Sequence, residues 1–432
     1  MRFYSTNRQC PDASLEEAVM TGLAPDGGLY MPLHIPEIPR AFFNNIGEMT
    51  IANIAYVVAN TILGDDIDSA QLNSIVNDTF SFDIPLRKIE NNIYALELFH
   101  GPTLAFKDVG ARFLARIISH YASKITEDVN VLVATSGDSG GAVANGFHNV
   151  SGVKVFVLYP ENSLTEMQKQ QFTSLGGNIY PIAVKGTFDN CQFLVKTAFN
   201  DTELRKSMLL TSANSINICR LLPQMFYYFY GFAQLSELNV DLENVVVSVP
   251  CGNLGNLTAG LLAKKMGLPV KRFIAANNKN NVFANYLVNG KFVPRRSTRT
   301  IAPGMDVGNP SNFSRILDMF DNDYNAISEL IKGYSYKDEE IKETLIDTYS
   351  INSYLLDPHG ATAFRALKDD MKDGEVGIFL ETAHPSKMAR IMKDATGVEF
   401  KTFNNTGTKH SSSIPRISSS YDSLKKILLS TT

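Results

Sequence analysis

The stretch Phe99-His100-Gly101-Pro102-Thr103-Leu104-Ala105-Phe106-Lys107-Asp108 combines a turn, an apolar run and one lysine. Gly101-Pro102 forces a turn, and the spacing after it predicts a helix with Lys107 in its first turns. Leu104, Ala105 and Phe106 surround that lysine with apolar groups. Desolvation and the positive end of a helix both depress a lysine pKa, which favours the free amine that can condense with an aldehyde. Most lysines are solvated surface residues, so only its surroundings distinguish Lys107.

Cys251-Gly252-Asn253-Leu254-Gly255-Asn256 lies between the apolar run Val245–Val249 and the helical pattern Leu257–Met266. A glycine loop between strand and helix presents several N–H groups to a phosphate, reinforced by the helix dipole. It has neither dinucleotide-type glycine spacing nor a P-loop lysine. A plain tight turn would look similar, but Asn253 and Asn256 add donors without adding charge. Close approach of backbone to an anion is expected at Gly255.

Gly137-Asp138-Ser139-Gly140-Gly141 spells the nucleophile segment of trypsin-like proteases, but the setting is wrong. That chemistry belongs to a disulfide-bearing β-barrel with His and Asp upstream of the serine. Here the segment follows a buried strand and opens a helix. Thr135, Ser136, Asp138 and Ser139 fit anion or substrate binding at a helix N-terminus better.

These segments need strands and helices to position them. Val129–Ala134, Val153–Tyr159, Asn178–Val184, Val245–Val249, Arg272–Ala276 and Val376–Leu380 read as buried strands separated by helices. That pattern predicts an α/β fold with parallel sheets flanked by helices, and ligands in such sheets sit beyond the strand carboxyl ends. Residues 1–90 read differently, as a separate and mostly helical N-terminal domain. Ser14 and Glu17 form the capping box of a helix that stops near Gly22. A second capped helix is expected to open at Ser163 and to end at Gly176-Gly177. Residues 91–432 form the core, as two α/β subdomains with a Ser- and Thr-rich tail after Phe403 that ends in a short helix.

Composition narrows the class. The chain has 432 residues, 44% hydrophobic and 19% charged, with a net charge of -4. This excludes a nucleic-acid footprint or a polybasic membrane anchor. The aromatic run Phe226-Tyr227-Tyr228-Phe229-Tyr230 lacks basic interleaving and reads as buried helix. Leu221–Ser236 is too short and too polar for a membrane span. Cys10, Cys191, Cys219 and Cys251 are scattered without pairing, and His34, His120 and His148 have no partner at metal spacing. With no signal-peptide pattern at the start, a cytoplasmic protein without a metal is expected.

The chain resembles the threonine synthase family, pyridoxal-phosphate enzymes of the tryptophan-synthase-β-like fold (fold type II). The likeness rests on Tyr4–Asn7, Gly22–Tyr30, His100–Asp108, Thr135–Gly140, Asn214-Ser215-Ile216-Asn217 and Glu381–Lys387, in that order along nearly the whole chain. It implies that Lys107 carries pyridoxal 5'-phosphate and moves protons. It also implies that Gly252, Asn253, Leu254 and Asn256 bind the cofactor phosphate and that Thr382 faces the pyridine nitrogen. The reaction implied is O-phospho-L-homoserine plus water to L-threonine plus phosphate, by γ-elimination and β-addition, in a monomer or homodimer. Ser212, Asn214, Asn217 and Arg220 are nominated for the substrate phosphate, because they combine amide donors with one guanidinium. Cys251 stands where the family carries Thr or Ser, and Ile218-Cys219 where an aromatic–Ala pair is common. A serine/threonine dehydratase would share the lysine and glycine loop but not the N-terminal likeness. A catalytically inert relative should lack the lysine.

Ser139 separates the two readings of its segment. Ser139→Ala is expected to keep cofactor colour and appreciable threonine formation, whereas a protease would lose several powers of ten of activity. Stoichiometric labelling of Ser139 by a serine-directed phosphonylating reagent, with matching inactivation, would contradict the lyase.

Overall fold

Runs of β-branched and aliphatic residues form strands that must be covered on both faces. In the computed structural model, which describes residues 1–400 and 414–431, these strands build two sheets. The six-stranded sheet has the order Ile331–Ser335, Arg272–Asn277, Val245–Pro250, Val376–Glu381, Ile93–Glu97, Leu86–Glu90. Its neighbours are parallel except for the last pair. The five-stranded sheet is parallel throughout, in the order Arg416–Ser418, Ile179–Lys185, Val153–Pro160, Val129–Ala134, Leu209–Ser212. Every residue of Val129–Ala134, Val245–Pro250, Arg272–Asn277 and Val376–Glu381 is buried. The expected strands are all present, each within a residue of its expected ends.

The first helix, Leu15–Thr21, starts and stops as its sequence dictates. Ser14 accepts from the Glu17 N–H at 3.1 Å, Glu17 accepts from the Ser14 N–H at 2.9 Å, and Gly22 ends the helix in the left-handed region at φ 70°. Other details differ from expectation. The helix Glu166–Thr173 is capped by Thr165 with Gln168, not by Ser163, because the same box chemistry recurs two residues later. The N-terminal region also holds an antiparallel pair, Phe3–Ser5 with Tyr30–Pro32, and strands of three residues are too short to show a period. Residues 401–413 of the Ser- and Thr-rich tail lie outside the described residues. After them Arg416–Ser418 adds an edge strand beside Ile179–Lys185, and the expected final helix spans Tyr421–Thr431. Asp201 holds that helix, accepting from Tyr421 Oη and Lys425 Nζ, each at 2.6 Å. Among the described residues no helix is long and apolar enough to cross a membrane.

Packing joins the N-terminal region to the core. Phe3, Leu15, Val19, Ile54 and Ile75 belong to one continuous buried cluster with Phe113, Phe147 and Tyr227. Polar ties reinforce the junction. Asn217 is fully buried, and its Nδ2 donates to Val19 O at 2.9 Å and Ser212 O at 3.1 Å, while its Oδ1 caps the Cys219 N–H at 3.1 Å. Each of these carbonyls loses a partner if the amide goes. Asn217→Ala should therefore lower stability by about 1–3 kcal/mol in denaturant unfolding while the folded variant still binds cofactor. An unchanged unfolding midpoint would show that water replaces the amide at no cost.

Candidate active site

Strands from both sheets end at one cleft of about 2380 Å³, with Ala134, Pro160 and Ser212 on one side and Pro250 and Thr382 on the other. This is the carboxyl-end placement that parallel sheets impose. All the expected site residues line it except Thr135 and Asn217.

Lys107 is the first residue of the helix Lys107–Ala122. The backbone before it is drawn against the end of the strand Val376–Glu381. Leu98 N–H donates to Glu381 O at 2.9 Å, Phe106 N–H to Thr382 O at 2.9 Å, and His384 N–H to Leu104 O at 3.0 Å. The lysine helix and Thr382 thus reach the cleft together. Gly101 is required by the turn, since a Cβ there would lie 2.5 Å from the Asp108 carboxylate. That carboxylate accepts from Thr103 N–H at 2.9 Å and Thr103 Oγ1 at 2.6 Å. Desolvation lowers the Lys107 pKa, and Arg220 and Lys387 lower it further against the opposing pull of Asp138. Burial works to raise the Asp138 carboxyl, but Lys387 and Lys107 outweigh it and hold Asp138 below the ordinary carboxylate range. Lys387 Nζ lies 3.1 Å from Asp138 Oδ1 and donates to Thr103 O at 2.7 Å.

The glycine loop has the form of an anion cradle. Leu254 sits in the left-handed region at φ 61°, and the helix Gly255–Lys265 begins behind it without a side-chain cap. The first N–H groups of such a helix have no partner within it. Tyr227 and Tyr228 hydroxyls donate to Asn256 Oδ1 at 2.7 and 2.8 Å, while the buried Asn256 Nδ2 has no partner. Asn253 uses its side chain elsewhere, donating to Ser215 Oγ at 2.7 Å and accepting from Ser311 N–H at 2.6 Å. Only its backbone remains for a ligand. At Gly252 a Cβ would lie 2.6 Å from Gly304 O, whereas at Gly255 no protein atom would be nearer than 3.5 Å, which leaves the space in front of that residue open. Unpaired donors, a helix start and a lysine amine in one cleft are a donor set that fits pyridoxal phosphate. Cys251 is buried beside this loop and donates weakly to Val249 O at 3.2 Å, and burial pushes its thiol pKa up.

The 135–140 and 212–220 segments each divide between bracing the fold and lining the cleft. Thr135 is fully buried, and its Oγ1 accepts from Gly137 N–H at 2.9 Å and Gly140 N–H at 2.8 Å. Its hydroxyl braces the loop, and Ser136, Asp138 and Ser139 line the cleft. Thr135, expected among the substrate ligands, thus spends its hydroxyl on its own loop and does not line the cleft. Asn217, expected beside it as a ligand, likewise spends both ends of its amide on backbone and does not line the cleft. Ser212, Asn214 and Arg220 line the cleft. Arg220 Nη1 donates to Ala213 O at 2.6 Å, but its buried Nε has no partner. Burial pushes that guanidinium down to about 10, with Asp108 opposing, so it stays charged at neutral pH. Gly110 admits it, since a Cβ there would lie 2.8 Å from Arg220 O.

Several contributors carried no signal of their own. Ser215 and Lys387 lie inside quoted motifs, but their types did not mark them. Tyr227 and Tyr228 belong to an aromatic run that is buried as expected, yet their hydroxyl partners could not be read from spacing. Arg315, fully buried at the back of the site, is anonymous in sequence.

Comparison with known proteins agrees with this geometry. A family model described as pyridoxal-phosphate dependent enzyme matches residues 82–380, and one described as threonine synthase N terminus matches residues 2–80. The threonine synthase of Haemophilus influenzae is 42% identical over 399 residues, covering 92% of each chain. The crystal structure of threonine synthase from Escherichia coli superposes with a TM-score of 0.90 at 37% identity, covering 100% of both chains. That of PLP-bound threonine synthase from Brucella melitensis gives 0.92 at 30% identity, covering 99% of this chain and 98% of that one. With a lysine amine, an open phosphate cradle and these relatives along its whole length, the chain belongs to the threonine synthase family of pyridoxal-phosphate-dependent enzymes.

Proposed function

We propose that the enzyme converts O-phospho-L-homoserine and water to L-threonine and phosphate, with Lys107 as its catalytic residue. The observation that carries this reading is the charge balance of the cleft. Asp138 is matched by Lys387, Lys107 is disposed to the free amine, and the buried Arg220 guanidinium is left with an unpartnered Nε, beside a loop whose own donors are neutral. A second phosphate suits the surplus.

In this reading the N–H groups of Gly252, Asn253, Leu254 and Asn256 hold the cofactor phosphate. Lys107 would hold the cofactor through its aldehyde, and Thr382 would offer its hydroxyl to the ring nitrogen. When bound, pyridoxal phosphate draws electrons from the substrate and acidifies the protons on its α- and β-carbons. The depressed pKa of Lys107 keeps its amine able to take a proton from carbon at neutral pH and return it. Arg220, Asn214 and Ser212 stabilise the departing phosphate. Asp138, fixed by Lys387, stays ionised and limits the positive field at Lys107. We further assign residues 1–90 to a domain that completes the substrate side and 91–432 to the catalytic core. A cytoplasmic setting is supported by the buried free thiols of Cys191, Cys219 and Cys251.

Phosphate release from O-phospho-L-homoserine, with threonine as co-product, tests the reaction directly. Lys107→Ala should abolish it while the variant still folds. Borohydride reduction of the parent followed by peptide mapping should put the pyridoxyl label on Lys107, and a label on another lysine overturns the assignment.

Arg220→Gln removes one charged hydrogen-bond donor from the phosphate side. The expected loss is about 10–100-fold in kcat/KM for the phosphorylated substrate, with cofactor binding little altered. An unchanged kcat/KM would place the substrate phosphate elsewhere in the cleft.

A further inference from the structure

A closed hydrogen-bonded circuit runs behind the cleft and joins its two anion-binding segments. Asn253 Nδ2, on the glycine loop, donates to Ser215 Oγ at 2.7 Å. Asn312 Nδ2 donates to Asn253 O at 3.0 Å, and Arg315 Nη1 donates to Asn312 Oδ1 at 2.8 Å. Arg315 Nη2 then donates to Ile216 O at 2.8 Å, one residue from Ser215, which closes the ring. Both Arg315 and Asn312 are fully buried. Arg315 also donates through Nε and Nη2 to Tyr30 O, at 3.2 and 2.9 Å.

Two features set this ring apart from ordinary packing. Every acceptor of Arg315 is neutral, so a buried guanidinium is held without a carboxylate, an arrangement that costs several kcal/mol unless something else compensates it. Moreover, the ring closes only when the glycine loop and the 212–220 segment hold one mutual arrangement. A ligand that fixes either loop therefore meets part of the ordering cost of the other, which is the condition for positive coupling between sites.

We propose that Arg315 is a positioning residue that couples the two sites: through Asn312, Asn253 and Ser215, a dianion held at the 212–220 segment tightens the grip of the 252–256 loop on the cofactor phosphate, and the converse. The inference deepens the function proposed above and rests on its assignment of these two loops.

The test uses the holoenzyme and propylphosphonate, a phosphonate head without an amine that could react with the cofactor. Cofactor release into an excess of trap is followed by the loss of its visible absorbance. In the parent, saturating propylphosphonate should slow release about fivefold or more. In Arg315→Lys and in Ser215→Ala, which cuts the ring without touching the buried charge, the slowing should disappear although both ligands still bind. A purely structural role for the ring would speed release equally with and without the phosphonate, and that result overturns the proposal. So does a parent whose release ignores bound phosphonate. If calorimetry finds no phosphonate binding to the parent holoenzyme, it is the assignment of the 212–220 segment that fails, and the coupling falls with it.

Discussion

Holding positive charge and unpaired N–H groups open inside a folded protein is the constraint on which this structure turns. Arg220 and Arg315 are buried guanidiniums, and Lys107 is a lysine whose pKa desolvation lowers. Burial pushes Arg315 down to about 9, so it too remains a cation at neutral pH. Folding would be easier with carboxylates beside each of them, yet such partners would fill the places that anionic ligands must take. The chain places Asp138 at the lysine, lets Asp108 act on Arg220 without a hydrogen bond, and leaves Arg315 to neutral acceptors. Neutral acceptors lower the cost of a buried cation without cancelling its field.

Much of the surrounding architecture serves as bracing for that open site. Thr135 ties two N–H groups of its loop, Asn253 spends its side chain on Ser215 and Ser311, and Tyr227 and Tyr228 fix the orientation of Asn256. The amide oxygen of Asn256 is occupied twice, so its nitrogen is the end left over. Glycines at 101, 110 and 252 allow backbone or side chains to approach at distances that a Cβ would block. Each brace removes a conformational choice before a ligand arrives, which is how binding energy is kept for the transition state.

The parts legible in sequence were those governed by local rules. Strands buried on both faces appear as unbroken apolar runs, and a Ser–Glu capping box marks a helix start wherever it occurs. Lys107, Gly252 and Thr382 could be placed because each sits in a motif with a turn or strand end beside it. What could not be read was the assignment of polar side chains within a motif to ligand or to scaffold. Thr135 and Ser136 are adjacent hydroxyls of one loop, and only the fold shows that the first turns inward to Gly137 and Gly140 while the second lines the cleft. Asn217 and Asn214 differ in the same way. Arg315 was invisible because its partners Tyr30, Ile216 and Asn312 come from three separate parts of the chain.

Those distant partners also explain why the N-terminal region belongs to this chemistry. Asn217 and Thr211 donate to Val19 O, at 2.9 and 3.2 Å, and Arg315 donates to Tyr30 O. Carbonyls from the first helix and the second strand thus satisfy donors on Thr211 and Asn217 and on Arg315, which lies behind them. An enzyme of the same fold without this region would have to satisfy those donors otherwise, with carboxylates that neutralise the segment or with water that loosens it. Either substitute would weaken a site for a dianion. The N-terminal region therefore braces the rear of the cleft with neutral acceptors, Val19 O and Tyr30 O, and brings no carboxylate to these donors.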